Sequence, residues 1–214
     1  MASDGLTPEL LLQAYAAGVF PMADARDDPD IFWVDPRSRG IFPLTGFHVS
    51  RSLKRRILDG TFKVTLDRAF ADVVRLCSAR PETWISHRIE ALYIRLFAMG
   101  RAHSIEVWNG GRLVGGVYGV AIGGAFFGES MFSRETDASK VGLCYLVDRL
   151  RNAGFTLFDT QFITPHLASL GAVEISRDDY HRRLSEALKI RADFDAPGPL
   201  PAPQALMQRM THTS

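Results

Sequence analysis

The run Ala102-His-Ser-Ile-Glu-Val-Trp-Asn-Gly-Gly-Arg-Leu-Val-Gly-Gly-Val-Tyr-Gly-Val120 decides the fold. His103–Trp108 and Leu113–Val120 are two strand-like stretches separated by Asn109-Gly110-Gly111. Asn-Gly between such stretches marks a tight antiparallel hairpin, because both turn residues tolerate positive φ. Ala121–Met131 reads as a further strand. Before the hairpin, Phe62–Leu66 alternates and reads as a strand. Asp67 is then expected to cap a helix over Ala69–Cys77, and Ser86 or His87 opens another that stops at Gly100. After the hairpin, Asp137 is expected to cap a helix to about Asn152, ended by Gly154. Phe155–Phe162 is an apolar strand and Ala172–Ile175 a last one. Ser176 with Asp179 resembles a capping box for a helix to about Ile190. A meander followed by helix–strand crossovers predicts an α+β protein, a mixed β-sheet flanked by helices on both faces.

The N-terminal part is less periodic. Thr7-Pro8 starts a short helix closed by Gly18, and Ser50 caps a helix through Arg56. Val19–Pro43 between them reads as an irregular packed connector. Beyond Ile190 the chain is Pro-rich and is expected to be loosely ordered.

Composition bounds the function. A chain of 214 residues, 46% of them hydrophobic, can bury one sizeable core. Two cysteines, Cys77 and Cys144, exclude a disulfide scaffold. Together with six scattered His they show no paired zinc-ligand spacing, so no metal is expected. The longest uncharged stretch, Leu113–Gly128, has 16 residues and six Gly, short for a membrane span. Met1–Gly5 has no basic or apolar export segment. A soluble cytoplasmic protein is the expectation. The net charge of +1 hides a basic third: residues 33–101 hold thirteen basic and six acidic side chains. Its densest point is Arg51, Lys54, Arg55 and Arg56, which fits either a phosphate-binding face or a solvated helix.

Three groups of residues stand out chemically. Glu129 is a carboxylate inside the aromatic run Phe126-Phe127-Gly128-Glu129-Ser130-Met131-Phe132, where it needs a partner or a polar cleft. Asp159 and Gln161 alternate along one strand and are expected to point to the same side. Trp33 and Trp84 lie in loop-like stretches near Arg and suit base stacking or core packing. Ser133, Thr136, Asp137 and Ser139 read first as helix caps. Dinucleotide, phosphate-loop and Gly-x-Ser-x-Gly motifs are absent from the sequence.

Several runs in one order carry a resemblance. They are Leu12-Gln-Ala-Tyr-Ala-Ala-Gly-Val-Phe-Pro21, Phe47-His-Val-Ser-Arg-Ser-Leu-Lys-Arg55, Thr83-Trp-Ile85, Ala102–Trp108, Leu113–Val120, Phe127–Ser133, Ala138-Ser-Lys140, Asp159-Thr-Gln161 and His166–Ala172. Together, over residues 7–190, they resemble the leucyl/phenylalanyl-tRNA–protein transferase family. The resemblance implies an acetyltransferase-like N-acyltransferase fold. It divides the chain into a small N-terminal domain (1–47), a catalytic domain (48–192) and a Pro-rich tail (193–214). It implies transfer of Leu or Phe from aminoacyl-tRNA to the N-terminal amine of proteins beginning with Arg or Lys, with no cofactor, since an aminoacyl ester is already activated. Asp159, Gln161 and Glu129 match the family's polar centre. Phe126 and Met131 match its side-chain pocket, and Trp33 and Trp84 match aromatics near the terminal adenosine. Ser133 is counted with these substrate-binding residues, and Arg51, Lys54, Arg55 and Arg56 with the tRNA.

Two other classes remain open at this point. An acyl-CoA-dependent N-acetyltransferase should carry a Gly-rich pyrophosphate loop, which Ser133-Arg-Glu-Thr-Asp137 lacks. A non-catalytic RNA-binding module gives no reason for Asp159 beside Gln161. One geometric demand follows from the pocket assignment. Phe126 and Met131 are five apart, so they share a face only if the strand bulges near Gly128.

Overall fold

The computed structural model describes residues 6–211. Met1–Gly5, read above as carrying no export segment, lies outside them. Thr7 accepts the Leu10 N–H, and Pro8 sits in the first turn, so the first helix is α1 (Pro8–Ala16). The stretch expected to be an irregular connector instead holds three short strands: β1 (Phe20–Met22), β2 (Phe32–Val34) and β3 (Ser38–Ile41). The first two pair with each other; β3 joins the large sheet between two strands that come more than a hundred residues later. Sequence periodicity could not show this, because a four-residue strand has too few alternations to register. Ser50 caps α2 (Arg51–Leu58), and β4 (Lys63–Leu66) follows.

Helix α3 (Phe70–Ser78) has no side-chain cap. Asp67 takes a left-handed backbone, φ 54°, and spends its carboxylate on Ser104 N (2.6 Å) and His103 Nδ1 (2.8 Å). Helix α4 (His87–Ala98) is capped by Ser86. The hairpin is β5 (Ala102–Asn109) and β6 (Arg112–Ile122), followed by β7 (Ala125–Ser133). Asp137 holds the N-cap position of α5 (Ala138–Asn152) as expected, but at φ 68° its side chain pairs with Lys140 at 2.8 Å and makes no cap bond. Ser133 does that work, accepting the Ser139 N–H at 3.2 Å. The remaining elements are β8 (Leu157–Gln161), α6 (Pro165–Ser169), β9 (Val173–Ser176), α7 (Arg177–Leu188) and α8 (Pro203–Thr211).

The large sheet has the order β4-β5-β6-β7-β8-β3-β9. Only β7 and β8 run parallel among its described pairs. One face buries Leu11, Tyr15, Val73, Leu92, Tyr93 and Leu184, from α1, α3, α4 and α7. The other buries Leu53, Val141, Leu146, Leu150, Leu206 and Met207, from α2, α5 and α8. The mixed sheet with helices on both faces is therefore as expected. The tail is not. Residues 203–211 form α8, with Leu206, Met207 and Met210 buried against α2 and α5. The apolar spacing within Ala-Leu-Met-Gln-Arg-Met explains this; the prolines before it fix its approach. No described helix is long and apolar enough to cross a membrane.

Candidate active site

β7 and β8 pair only from Ala125 to Phe127 against Leu157 to Asp159. Beyond that point both strands continue but no longer pair with each other, and a cleft opens between them. A β-bulge starts the divergence. Tyr118 faces Ser130 while Gly119 faces Gly128, which leaves Glu129 as the extra residue. The bulge predicted near Gly128 is thus present, and it puts Phe126 and Met131 on the same side of the sheet. Gly128 is needed there, because a Cβ would come within 2.6 Å of the Phe158 ring.

On the other strand the alternation ends at Gln161, which has φ 56°. The left-handed turn releases Gln161 from the face that Asp159 occupies. Thr160, Gln161 and Phe162 all line the cleft, with Glu129, Ser130, Met131, Trp84 and Arg80 across from them. The cleft holds about 210 Å³. A smaller recess of about 70 Å³ adjoins it and is walled by Val117, Gly128, Met131, Leu143, Phe158 and Leu167.

Two of the three polar residues expected at the centre meet. Gln161 Nε2 donates to Glu129 Oε1 at 3.3 Å. Tyr93 donates its hydroxyl to Glu129 Oε2 at 2.5 Å, and the Tyr15 hydroxyl lies 2.8 Å from that of Tyr93. Burial raises the Glu129 carboxyl to about 7, although hydrogen bonds from Tyr93 and Tyr15 hold it down. Burial also keeps both Tyr hydroxyls protonated far above their ordinary range.

Asp159 is placed differently. It is fully buried behind the cleft wall, where Arg39 grips it with Nε at 2.9 Å and Nη2 at 2.6 Å. The Tyr180 hydroxyl and the Gln161 N–H donate to the same carboxylate, at 2.9 and 2.8 Å.

The other expected residues divide. Met131 and Trp84 line the cleft. Phe126 does not: it is fully buried, stacked on Phe194 at 5.6 Å, and Phe158 takes the wall position instead. Trp33 is 41% exposed on the small β1–β2 ribbon. Ser133 faces its own turn, donating to the Glu135 carbonyl at 2.8 Å. Arg51, Lys54 and Arg55 are exposed on α2, whereas Arg56 leans on Asp59 (3.6 Å) and over the Phe62 ring (5.6 Å).

Sequence reasoning missed Tyr15, Tyr93, Arg39 and Tyr180. Tyr93 was hidden among the apolar positions of α4. Arg39 carried one usable signal, a cation two residues ahead of the apolar pair Ile41-Phe42. Asp67, His103 and Asp195 also come together, with ligand-type atoms within 4.8 Å of one another. Asp67 already serves His103 and Ser104, which ties it to β5.

By its sequence relatives, the protein built on this mixed sheet is an aminoacyltransferase. A family model for leucyl/phenylalanyl-tRNA protein transferase matches residues 41–185, and one for its N-terminal domain matches residues 4–37. The leucyl/phenylalanyl-tRNA–protein transferase of Cereibacter sphaeroides is 63% identical over 214 residues, covering 100% of both chains. That of Rhodospirillum rubrum is 55% identical over 203 residues, 92% of this chain and 95% of its own. Among solved structures, that of FemX gives a TM-score of 0.48 at 12% identity, over 81% of this chain and 70% of that one. The chain belongs to the leucyl/phenylalanyl-tRNA–protein transferase family.

Proposed function

We propose that this protein moves Leu or Phe, and less readily Met, from aminoacyl-tRNA to the N-terminal amine of proteins beginning with Arg or Lys. The modification marks those proteins for N-terminal-residue-dependent degradation, and the reaction takes place in the cytoplasm. The observation that carries this reading is the contact of Gln161 with Glu129 beside an apolar recess, at the mouth of the parted strands.

The donor side chain enters the recess between Met131, Leu143 and Phe158, which leaves its ester carbonyl beside Glu129 and Gln161. Trp84 and the exposed Trp33 stack on the terminal adenosine, and the free cations of α2 meet tRNA phosphates. With Gln161 Nε2 turned to Glu129, its Oε1 is available to accept from the acceptor amine. The amine nitrogen attacks the ester carbon and forms the C–N bond. Glu129, poised near neutrality, takes the proton that the amine releases. Collapse of the tetrahedral intermediate breaks the C–O bond, and the same proton passes to the departing ribose oxygen. Asp159 serves by holding Gln161. The test incubates the purified protein with radiolabelled leucyl-tRNA and a peptide beginning with Arg. Label in the peptide supports the reading; label confined to tRNA and free Leu overturns it.

A further inference from the structure

We propose that Arg39 is a positioning residue for this reaction: by clamping Asp159 it fixes the left-handed turn that aims Gln161 into the cleft. The inference rests on the functional reading above. Arg39 is 1% exposed and stands 120 residues from Asp159 in sequence. Its guanidinium bridges both carboxylate oxygens, the arrangement that a planar fork allows and a lysine does not. The remaining nitrogen, Nη1, donates to the Gly18 carbonyl at the end of α1, 2.9 Å away. The Phe20 and Tyr180 rings cover the guanidinium at 4.6 and 4.1 Å.

Asp159 therefore spends both oxygens. Oδ2 accepts from Arg39 Nη2 and the Tyr180 hydroxyl; Oδ1 accepts from Arg39 Nε and the Gln161 N–H. A carboxylate so engaged, with its charge cancelled, has no lone pair left for an incoming amine. Its effect on substrate runs through the one backbone bond to Gln161. That bond holds a residue with φ 56°, a conformation that Gln adopts rarely without support. Loss of the Arg39 fork frees the carboxylate to turn, the Gln161 N–H loses its acceptor, and the side chain leaves Glu129. The Gly18 contact adds a second consequence. One guanidinium ties the polar centre to the end of the helix that supplies Tyr15.

The experiment compares wild type with Arg39→Lys and Tyr180→Phe, each kept well below its own melting temperature. Two quantities are read: kcat and KM for leucyl-tRNA with an Arg-initiated peptide, and amide hydrogen exchange across residues 157–163. We expect Arg39→Lys to lower kcat on the order of 100-fold with KM within about threefold of wild type. Tyr180→Phe keeps the ring packing and should lower kcat by a smaller factor. In both variants the Gln161 amide should exchange faster while β6 and α5 stay protected. Retention of both kcat and Gln161 protection overturns the proposal. So does a fall in kcat with Gln161 protection unchanged, since the loss then does not run through Gln161. If Arg39→Lys does not fold, Tyr180→Phe decides by the same two quantities. A wild-type protein that transfers no label removes the functional reading instead, and the exchange comparison still decides whether Arg39 sets Gln161.

Discussion

The Gln161 amide reaches the Glu129 carboxylate at 3.3 Å, although the two residues are 32 apart in sequence and sit on strands that have already stopped pairing. Each has left its regular strand conformation to do so: Glu129 by a bulge and Gln161 by a positive φ. The contact spans the opening where substrate would lie. A carboxyl raised to about 7 at that point can change its protonation during turnover.

The first expectation concerns activity against pH. If Glu129 accepts the amine proton, kcat should rise with pH through about 7, as the carboxyl ionises. Glu129→Gln keeps the shape and should lower kcat on the order of 100-fold while removing that rise. A pH–rate profile unchanged in Glu129→Gln would assign the proton to another group.

Stability should move the opposite way. The Glu129 carboxyl is raised in the folded protein from its ordinary 4.5 to about 7, so between these values the folded state binds more protons than the unfolded one. Ionising it on folding therefore costs about 3 kcal/mol above pH 7, a cost absent below 4.5. Wild type should lose that much relative to Glu129→Gln as pH rises across the window. Denaturant titrations of both proteins at several pH values measure the difference; parallel curves would contradict the burial argument.

Tyr93→Phe isolates the hydrogen bond that opposes burial. The Tyr93 hydroxyl donates to Glu129 and lowers its pKa. Removing it should push the midpoint of the kcat profile above that of wild type. A midpoint that stays or falls would show that Tyr15 or a rearranged partner replaces the bond.

Donor choice should depend on the recess rather than on Phe126. Leu143→Ala enlarges the wall and should shift kcat/KM toward Phe over Leu by about tenfold, the scale of one to two methylenes. Phe126→Ala instead removes a fully buried ring stacked on Phe194. It should cost about 3–5 kcal/mol of stability with little change in donor ranking. A re-ranked donor series in folded Phe126→Ala would return that residue to the pocket.

The α2 cations separate tRNA binding from chemistry. Arg51, Lys54 and Arg55 are exposed. Replacing each that contacts a phosphate should lower the slope of log affinity against log salt by about 0.7–0.9, with turnover on aminoacyl-adenosine unchanged. Arg56→Glu should in addition lower stability, because Arg56 packs over Phe62. Equal salt slopes for wild type and the triple variant would make this helix a solvated face.

Much of this protein was legible one residue after another. The β5–β6 hairpin stands where Asn109-Gly110-Gly111 marked it, although Gly110 and Gly111 rather than Asn109-Gly110 make its turn, and Ser50, Ser86 and Ser176 cap helices as read. Glu129 announced itself by being an acid in an aromatic run, and Asp159 and Gln161 by being polar on an apolar strand. These signals are local: a turn residue, a cap or a misplaced charge acts within a few residues. The failures were local readings that a distant partner overrode. Asp67 left its helix cap for His103 and Ser104, and the Pro-rich tail folded because α2 and α5 offered its apolar face a surface.

The sequence by itself determined the sheet's central hairpin, most of the flanking helices and three of the polar groups at the centre, Glu129, Asp159 and Gln161. Only the tertiary structure decided their roles. Asp159 and Gln161 look equivalent along the strand, yet Arg39 buries one and the left-handed turn delivers the other to the cleft. Glu129 owes its raised pKa to burial, and the Tyr93 and Tyr15 hydroxyls that hold it down are carried in by α4 and α1 from elsewhere in the chain. The reason is physical. Periodicity and turn chemistry depend on near neighbours, whereas desolvation and charge pairing depend on what packing brings within a few ångströms, at any separation in sequence.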